Sequence, residues 1–156
     1  MKNKQTKYLS KAEGLVKLQK YCAYQERCHQ EVRTKLISLG IYGNDLEEII
    51  AELIAGKFLN EERFARSFAR GKFRMRHWGR IRIISELKFR KITDYCIRKA
   101  MSEIDEKEYH QTLREIIQKK RKNIKGKNIY ETNNQIAKYV AGKGFESELI
   151  WMILNE

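Results

Sequence analysis

The 156-residue chain has no proline and only nine glycines. Proline is the strongest helix breaker, so its absence leaves long uninterrupted helices open to the chain. A proline-free chain of this length is unusual among all-β folds, and the expected class is all-α. Cysteine is also scarce: Cys22, Cys28 and Cys96 are odd in number and lack any C-x-x-C spacing. That argues against a disulfide framework or a zinc ribbon, and each is expected as a small buried apolar residue in a reducing cytosol. The three histidines, His29, His77 and His110, are scattered and form no H-E-x-x-H arrangement, so they are expected at the surface or at helix ends. The first thirty residues lack the apolar stretch of a signal peptide, and no segment approaches membrane-spanning length. The expectation is a soluble, cytoplasmic protein with no membrane partner. No nucleophile set, metal set or cofactor box stands out, so neither catalysis, a metal nor a cofactor is expected. The run Gly142-Lys143-Gly144 lacks the earlier glycine and the following Ser or Thr of a phosphate loop, and reads as a turn.

What the chain does have is a pattern that occurs three times. Counted from Leu36, apolar residues fall at −4, 0, +5, +10, +13 and +14: Val32, Leu36, Ile41, Leu46, Ile49 and Ile50. The same template on Leu87 selects Ile83, Leu87, Ile92, Ile97, Ala100 and Met101; on Val140 it selects Ile136, Val140, Phe145, Ile150, Ile153 and Leu154. A further position, +17, holds Leu53 and Ile104. A period in this range signals an array of one supersecondary unit. The expected architecture is an elongated tandem array of three three-helix repeats, nine helices in all. Residues 1–9 form a basic tail, and the repeats span 10–57, 58–104 and 105–156.

Local signals place the helices. Ser10 to Tyr24 carries a stripe of Leu15, Leu18 and Cys22, and Cys28 to Leu39 follows, stopped by Gly40. Asn44 or Asp45 is the expected cap of a helix running to Ala55. Asn60 caps the next, with Glu61 and Glu62 favouring its N-terminal dipole. Gly79–Arg90 and Thr93–Ile104 complete the second repeat. The third comprises a long helix from near Asp105 to Ile124, then Glu131–Ala141 and Glu146–Leu154, with a weak boundary at Lys125–Tyr130.

Charge is unevenly spread. The net +13 arises from 33 basic and 20 acidic residues, and most of the excess lies in residues 57–91 and 114–127. A balance this basic points to an anionic partner. A 100° advance per residue gathers Phe64, Phe68 and Met75 on an inward face, and Arg63, Arg66, Arg70 and Arg74 in a separate arc. Stacked arginines repel, and a purely structural helix would intersperse glutamates, so this arc is a candidate contact for an acidic partner. Arg76, Arg80 and Arg82 continue the charge, with Trp78 either interleaved in the contact or packed at the helix junction. Lys119, Lys120, Arg121 and Lys122 form a second candidate contact, suited to nonspecific phosphates, though a solvated helix end explains them equally well. Base readout by a helix-turn-helix is disfavoured. The helix starts that would face the groove read Asn44-Asp45-Leu46-Glu47-Glu48, Thr93-Asp94-Tyr95 and Glu146-Ser147-Glu148, and phosphate would repel their carboxylates.

Three stretches resemble the RecX family of regulatory proteins. Residues 31–40, EVRTKLISLG, look like that family's "EL..KL...G" helix end. Residues 59–65, LNEERFA, resemble its "L.DERFA" signature, and residues 78–88 followed by Ile92 are similar to its "G..RI..EL..KGI" block. The resemblance extends over about residues 10–156 and is most specific in 59–92. Asn60 replaces the family's usual Asp, and Lys91 replaces a Gly, so that helix would end without a left-handed glycine. The resemblance implies an elongated, curved, monomeric nine-helix protein that binds the RecA recombinase, chiefly as the filament on DNA, and restrains its recombination, ATPase and co-protease activities. Weak direct contact with single- or double-stranded DNA is an accompanying expectation. The alternative is a stand-alone basic helical protein held on nucleic acid by phosphate contacts alone.

Overall fold

The computed structural model describes residues 8–156; residues 1–7 of the expected basic tail lie outside the described residues. Among the described residues there are nine helices and no strand: α1 Lys11–Tyr24, α2 His29–Ser38, α3 Gly43–Ala55, α4 Glu61–Arg76, α5 Arg80–Phe89, α6 Asp94–Met101, α7 Glu106–Arg121, α8 Ile129–Gly142 and α9 Ser147–Leu154. Side-chain caps set several starts. Ser10 accepts from Glu13 N–H, Asn60 from Arg63 N–H at 2.9 Å, Thr93 from Cys96 N–H and Asp105 from Glu108 N–H. Each satisfies a backbone donor that the first helical turn leaves unpaired.

Some boundaries differ from the expected ones. α3 starts at Gly43, and its cap is Tyr42 without a side-chain bond, not Asn44 or Asp45. α6 stops at Met101 and α7 at Arg121, each three residues early. α8 starts two residues early because the Asn128 side chain accepts from Glu131 N–H at 2.9 Å, while the Glu131 carboxylate accepts from Lys127 N–H at 3.1 Å. The two bonds fix the chain entering α8 on both sides of its N-cap.

The threefold pattern has a structural cause at its +4 and +5 positions. Gly40, Lys91 and Gly144 all adopt positive φ (80°, 59° and 99°), and the residues that follow, Ile41, Ile92 and Phe145, are buried. In the first two copies the buried residue's N–H returns to the carbonyl five back, Ile41 to Leu36 and Ile92 to Leu87. This is the hydrogen-bonded stop that a left-handed residue allows, and it drops the next apolar side chain into the core. Lys91 therefore takes the left-handed conformation that glycine would occupy. A side chain there costs about 1–2 kcal/mol, part of which glycine returns as unfolded-chain entropy. Lys91→Gly is expected to raise stability by about 0.5–1 kcal/mol, read as a higher urea midpoint; a lower midpoint would contradict this reading of the turn.

Every template position is buried except Met101, which is half-buried. The chain divides into two compact units, the first ending at Phe64 and the second running from Ala65 to Glu156, with the division inside α4. In the first unit α1 packs on α3 and α2 around Leu18, Val32, Leu36, Ile49 and Leu53. The buried α1 stripe is Gly14, Leu18 and Cys22; Leu15 only borders it. In the second unit α7 packs on α8 and α9, and α5 on α6. Its centre is aromatic: Phe73, Tyr109 and Phe145 stack with centroid separations of 5.7 and 5.0 Å. All three cysteines are free and buried, and burial pushes the Cys28 thiol up to about 11.

Candidate partner-binding surface

On α4 the inward face differs from the expected one. Met75 is 83% exposed, whereas Ala65, Ala69 and Phe73 are buried. Phe68 is half-buried and meets Trp78 edge-on at 6.2 Å, which places Trp78 in the α4–α5 junction.

The arginine arc is not a bare cationic face. In the first unit, Arg63 donates from Nε to Glu26 at 2.6 Å and from Nη2 to the carbonyls of Lys57 and Phe58 at 3.0 and 3.2 Å. In the second unit, Arg66 and Arg70 share Glu103, one carboxylate oxygen each, at 2.8 and 3.2 Å. Arg74 lies 3.5 Å from Glu108. The Arg66 hydrogen bond holds the Glu103 carboxyl below the usual carboxylate range. Past its first turn α4 has no glutamate, and those supplied by other elements relieve the repulsion along the arc. Because Arg66 and Arg70 share one carboxylate, the four arginines meet three glutamates outside α4, and the arc keeps a reduced positive charge.

Arg80 is tied into the second unit by its side chain. Its guanidinium donates to Glu146 from Nε and Nη2 at 3.0 and 2.7 Å, pairs with Glu106, and stacks 4.0 Å above the Tyr109 ring. The Tyr109 hydroxyl donates to the same Glu146 carboxylate and accepts the Arg80 backbone N–H at 3.1 Å. Burial opposes the Arg80 charge, but the bonds to Glu146 and Glu106 outweigh it and raise its pKa above the ordinary arginine value. Burial, with the Glu146 bond, likewise pushes the Tyr109 hydroxyl up. Glu146 is the N-cap residue of α9, yet makes no cap bond, because its carboxylate is committed here.

The junction beside this cluster explains the Gly-Lys-Gly run. Gly142 ends α8 and Lys143 and Gly144 form the expected turn, whose carbonyls complete α5: Gly79 N–H donates to Lys143 O at 2.8 Å and Ile81 N–H to Gly144 O at 3.0 Å. α5 begins without a side-chain cap, so these bonds serve donors that would otherwise be orphaned.

The remaining candidates carry no carboxylate partner among the described residues. Arg76 is exposed at the end of α4, and Arg82 lies 4.1 Å over the Trp78 ring, with Lys72 at 4.9 Å. Arg121 reaches Asn133 at 3.2 Å, and Lys122 is the C-cap of α7. Lys120 sits 4.0 Å over the Tyr139 ring, and Lys119 is exposed beside it. Sequence reading missed Lys72, Lys143 and Tyr139, because their roles depend on helices brought together by the fold. Among the described residues there is no cluster fit to hold a metal ion, and no helix is long and apolar enough to cross a membrane.

Comparison with known proteins gives one consistent result. Residues 60–101 match the family profile described as "RecX, second three-helix domain", and residues 106–154 match "RecX, third three-helix domain". The chain is 28% identical over 146 residues to the regulatory protein RecX of Bacillus licheniformis, covering 92% of this chain and 54% of that protein. It is 26% identical over 136 residues to that of Prosthecochloris aestuarii, covering 87% of each. The chain spans about half the length of the Bacillus relatives it matches. Its fold superposes on the crystal structure of RecX from Lactobacillus salivarius with a TM-score of 0.83, at 25% identity over 93% of this chain and 94% of that one. A second crystal structure, of a regulatory protein RecX, shares the fold at a TM-score of 0.84 and 18% identity, covering 94% of this chain and 73% of the other. The two matched domains together take in more than half of the chain, and the chain belongs to the RecX family of regulatory proteins.

Proposed function

We propose that this chain regulates a RecA-type recombinase by binding its filament on DNA, and that binding restrains recombination, ATP hydrolysis and co-protease activity. The observation that carries the reading is membership of the RecX family combined with a +13 chain that offers cations without carboxylate partners. A recombinase filament on DNA is long and strongly anionic, and a tandem array of helical repeats suits a long partner. In this reading the repeats are residues 10–57, 58–104 and 105–156. The direct contacts come first from Arg76, Arg82, Lys119, Lys120 and Lys122. Arg63, Arg66, Arg70 and Arg74 contribute only by exchanging a glutamate of this chain for an acidic group of the partner. Arg80 holds the fold and does not contact the partner. The protein is a regulator and not an enzyme.

The test compares binding of the chain to one labelled single-stranded oligonucleotide, naked and coated with the cognate recombinase, in one buffer at physiological salt. Tighter binding to the coated strand is expected. Equal or weaker binding to the coated strand would favour a protein held on nucleic acid by phosphates alone.

A further inference from the structure

Two residues of the lysine run read from the sequence as a nonspecific basic segment, Lys119 and Lys120, line a defined pocket in the folded chain. A cavity of about 210 Å³ is lined by His77, Ile116, Lys119, Lys120, Asn123, Tyr139 and Lys143. None of these is acidic, and no ion pair engages the three lysines among the described residues. Lys120 and Lys143 instead lie over the Tyr139 ring, at 4.0 and 5.7 Å from its centroid. The contrast with α4 is physical. A carboxylate that orients an arginine also cancels its charge, whereas an aromatic face attracts an ammonium and leaves the full charge available.

The ends of three helices meet at this cavity. His77 follows α4, Asn123 lies just past α7, and Lys143 is the C-cap of α8. Each helix C-terminus carries about half a negative charge, which explains part of the demand for cations. Three ammonium groups exceed what three such ends require, and the surplus positive charge faces an open cavity. Lys119, Lys120 and Lys143 supply charged donors, and the Asn123 amide and His77 ring add further hydrogen-bonding groups.

We propose that this cavity is a binding site for a phosphate group, contributed either by a free nucleotide or by the backbone of a single strand. Lys119, Lys120 and Lys143 hold the phosphate oxygens, and Tyr139 positions two of the three ammonium groups. The site requires no recombinase, so it stands or falls separately from the function proposed above.

The test uses the full chain without recombinase and three variants whose folding is checked by circular dichroism. The probes are a fluorescent oligothymidylate and unlabelled thymidine triphosphate. Lys119→Ser/Lys120→Ser/Lys143→Ser is expected to weaken probe binding roughly tenfold or more, and for the strand to make the slope of log affinity against log salt shallower by about 2. Lys107→Ser/Lys125→Ser/Lys127→Ser removes the same charge at exposed positions outside the cavity and is expected to cost less than about threefold. Tyr139→Leu keeps every charge and is expected to weaken binding, because the lysines lose their support. Binding of the triphosphate assigns the site to free nucleotide as well, and binding of the strand alone assigns it to the phosphodiester backbone. Equal losses in the two triple variants, full affinity in Tyr139→Leu, or no binding of either probe by the wild-type chain would overturn the proposal.

Discussion

Gly144→Ala is expected to destabilise the second unit by about 3 kcal/mol or more, enough to unfold much of a marginally stable domain. Two independent causes add. Gly144 has φ +99°, a conformation that an L side chain rarely adopts, and an added Cβ would lie 2.4 Å from Arg82 Cβ and 2.6 Å from Arg82 N. The obstruction is backbone and the root of a side chain, so no rotamer change relieves it. Relaxation would also pull the Gly144 carbonyl away from Ile81 N–H and leave the start of α5 unserved. Gly79→Ala meets the same junction from the other side, with its Cβ 2.3 Å from the Gly144 carbonyl. The control is Gly142→Ala in the same run. Its Cβ meets nothing within 4 Å, and its stability should be unchanged or slightly higher. Urea unfolding followed by tryptophan fluorescence reads the result, since Trp78 and Trp151 both lie in the second unit. A Gly144→Ala protein as stable as wild type would show that this junction is not closed as described.

Arg80→Met is the second large effect, with an expected loss of about 2–3 kcal/mol. Removing the guanidinium strips Glu146 of two hydrogen bonds and Glu106 of its ion pair, and leaves Glu146 a half-buried carboxylate bonded only to the Tyr109 hydroxyl. Breaking such a pair costs more than its net contribution, because the surviving charge remains partly desolvated. The double variant Arg80→Met/Glu146→Leu should therefore recover part of the loss. Arg82→Ala, two residues away and exposed, should change stability by less than about 0.5 kcal/mol. Both values come from the same urea titrations. If Arg80→Met costs no more than Arg82→Ala, then Arg80 returns to the set of candidate partner contacts.

The apolar skeleton of the fold was legible in the sequence, and the charges were not. The template works because each copy must bury the same positions around the same left-handed turn, so Leu36, Leu87 and Val140 announce themselves through spacing alone. The Asn60 cap was equally readable, since its bond reaches only three residues along the chain. The carboxylates that face the arginine arc were hidden for the complementary reason. A helical wheel compares a residue with its own helix, whereas Arg63 and Arg66 find carboxylates 37 residues away and Arg80 finds one 66 residues away. Part of the local excess in residues 57–91 is offset by Glu103, Glu106, Glu108 and Glu146 only after folding. Met75 misled because helical periodicity places it with Phe64 and Phe68 but cannot see that α4 has reached its last turn there. Lys91 shows a different limit: the turn needs a backbone conformation, and lysine supplies it at a cost that the neighbouring Ile92 burial offsets.

The central claim is that this chain acts on a recombinase filament and not on DNA alone. The most direct measurement is ATP hydrolysis by the cognate recombinase on single-stranded DNA, titrated with the chain, alongside its affinity for the same DNA in the same buffer. Inhibition at substoichiometric amounts, well below the level that coats the DNA, is the predicted result. Inhibition that sets in only as the naked DNA becomes saturated would contradict it and reduce the protein to a competitor for phosphates.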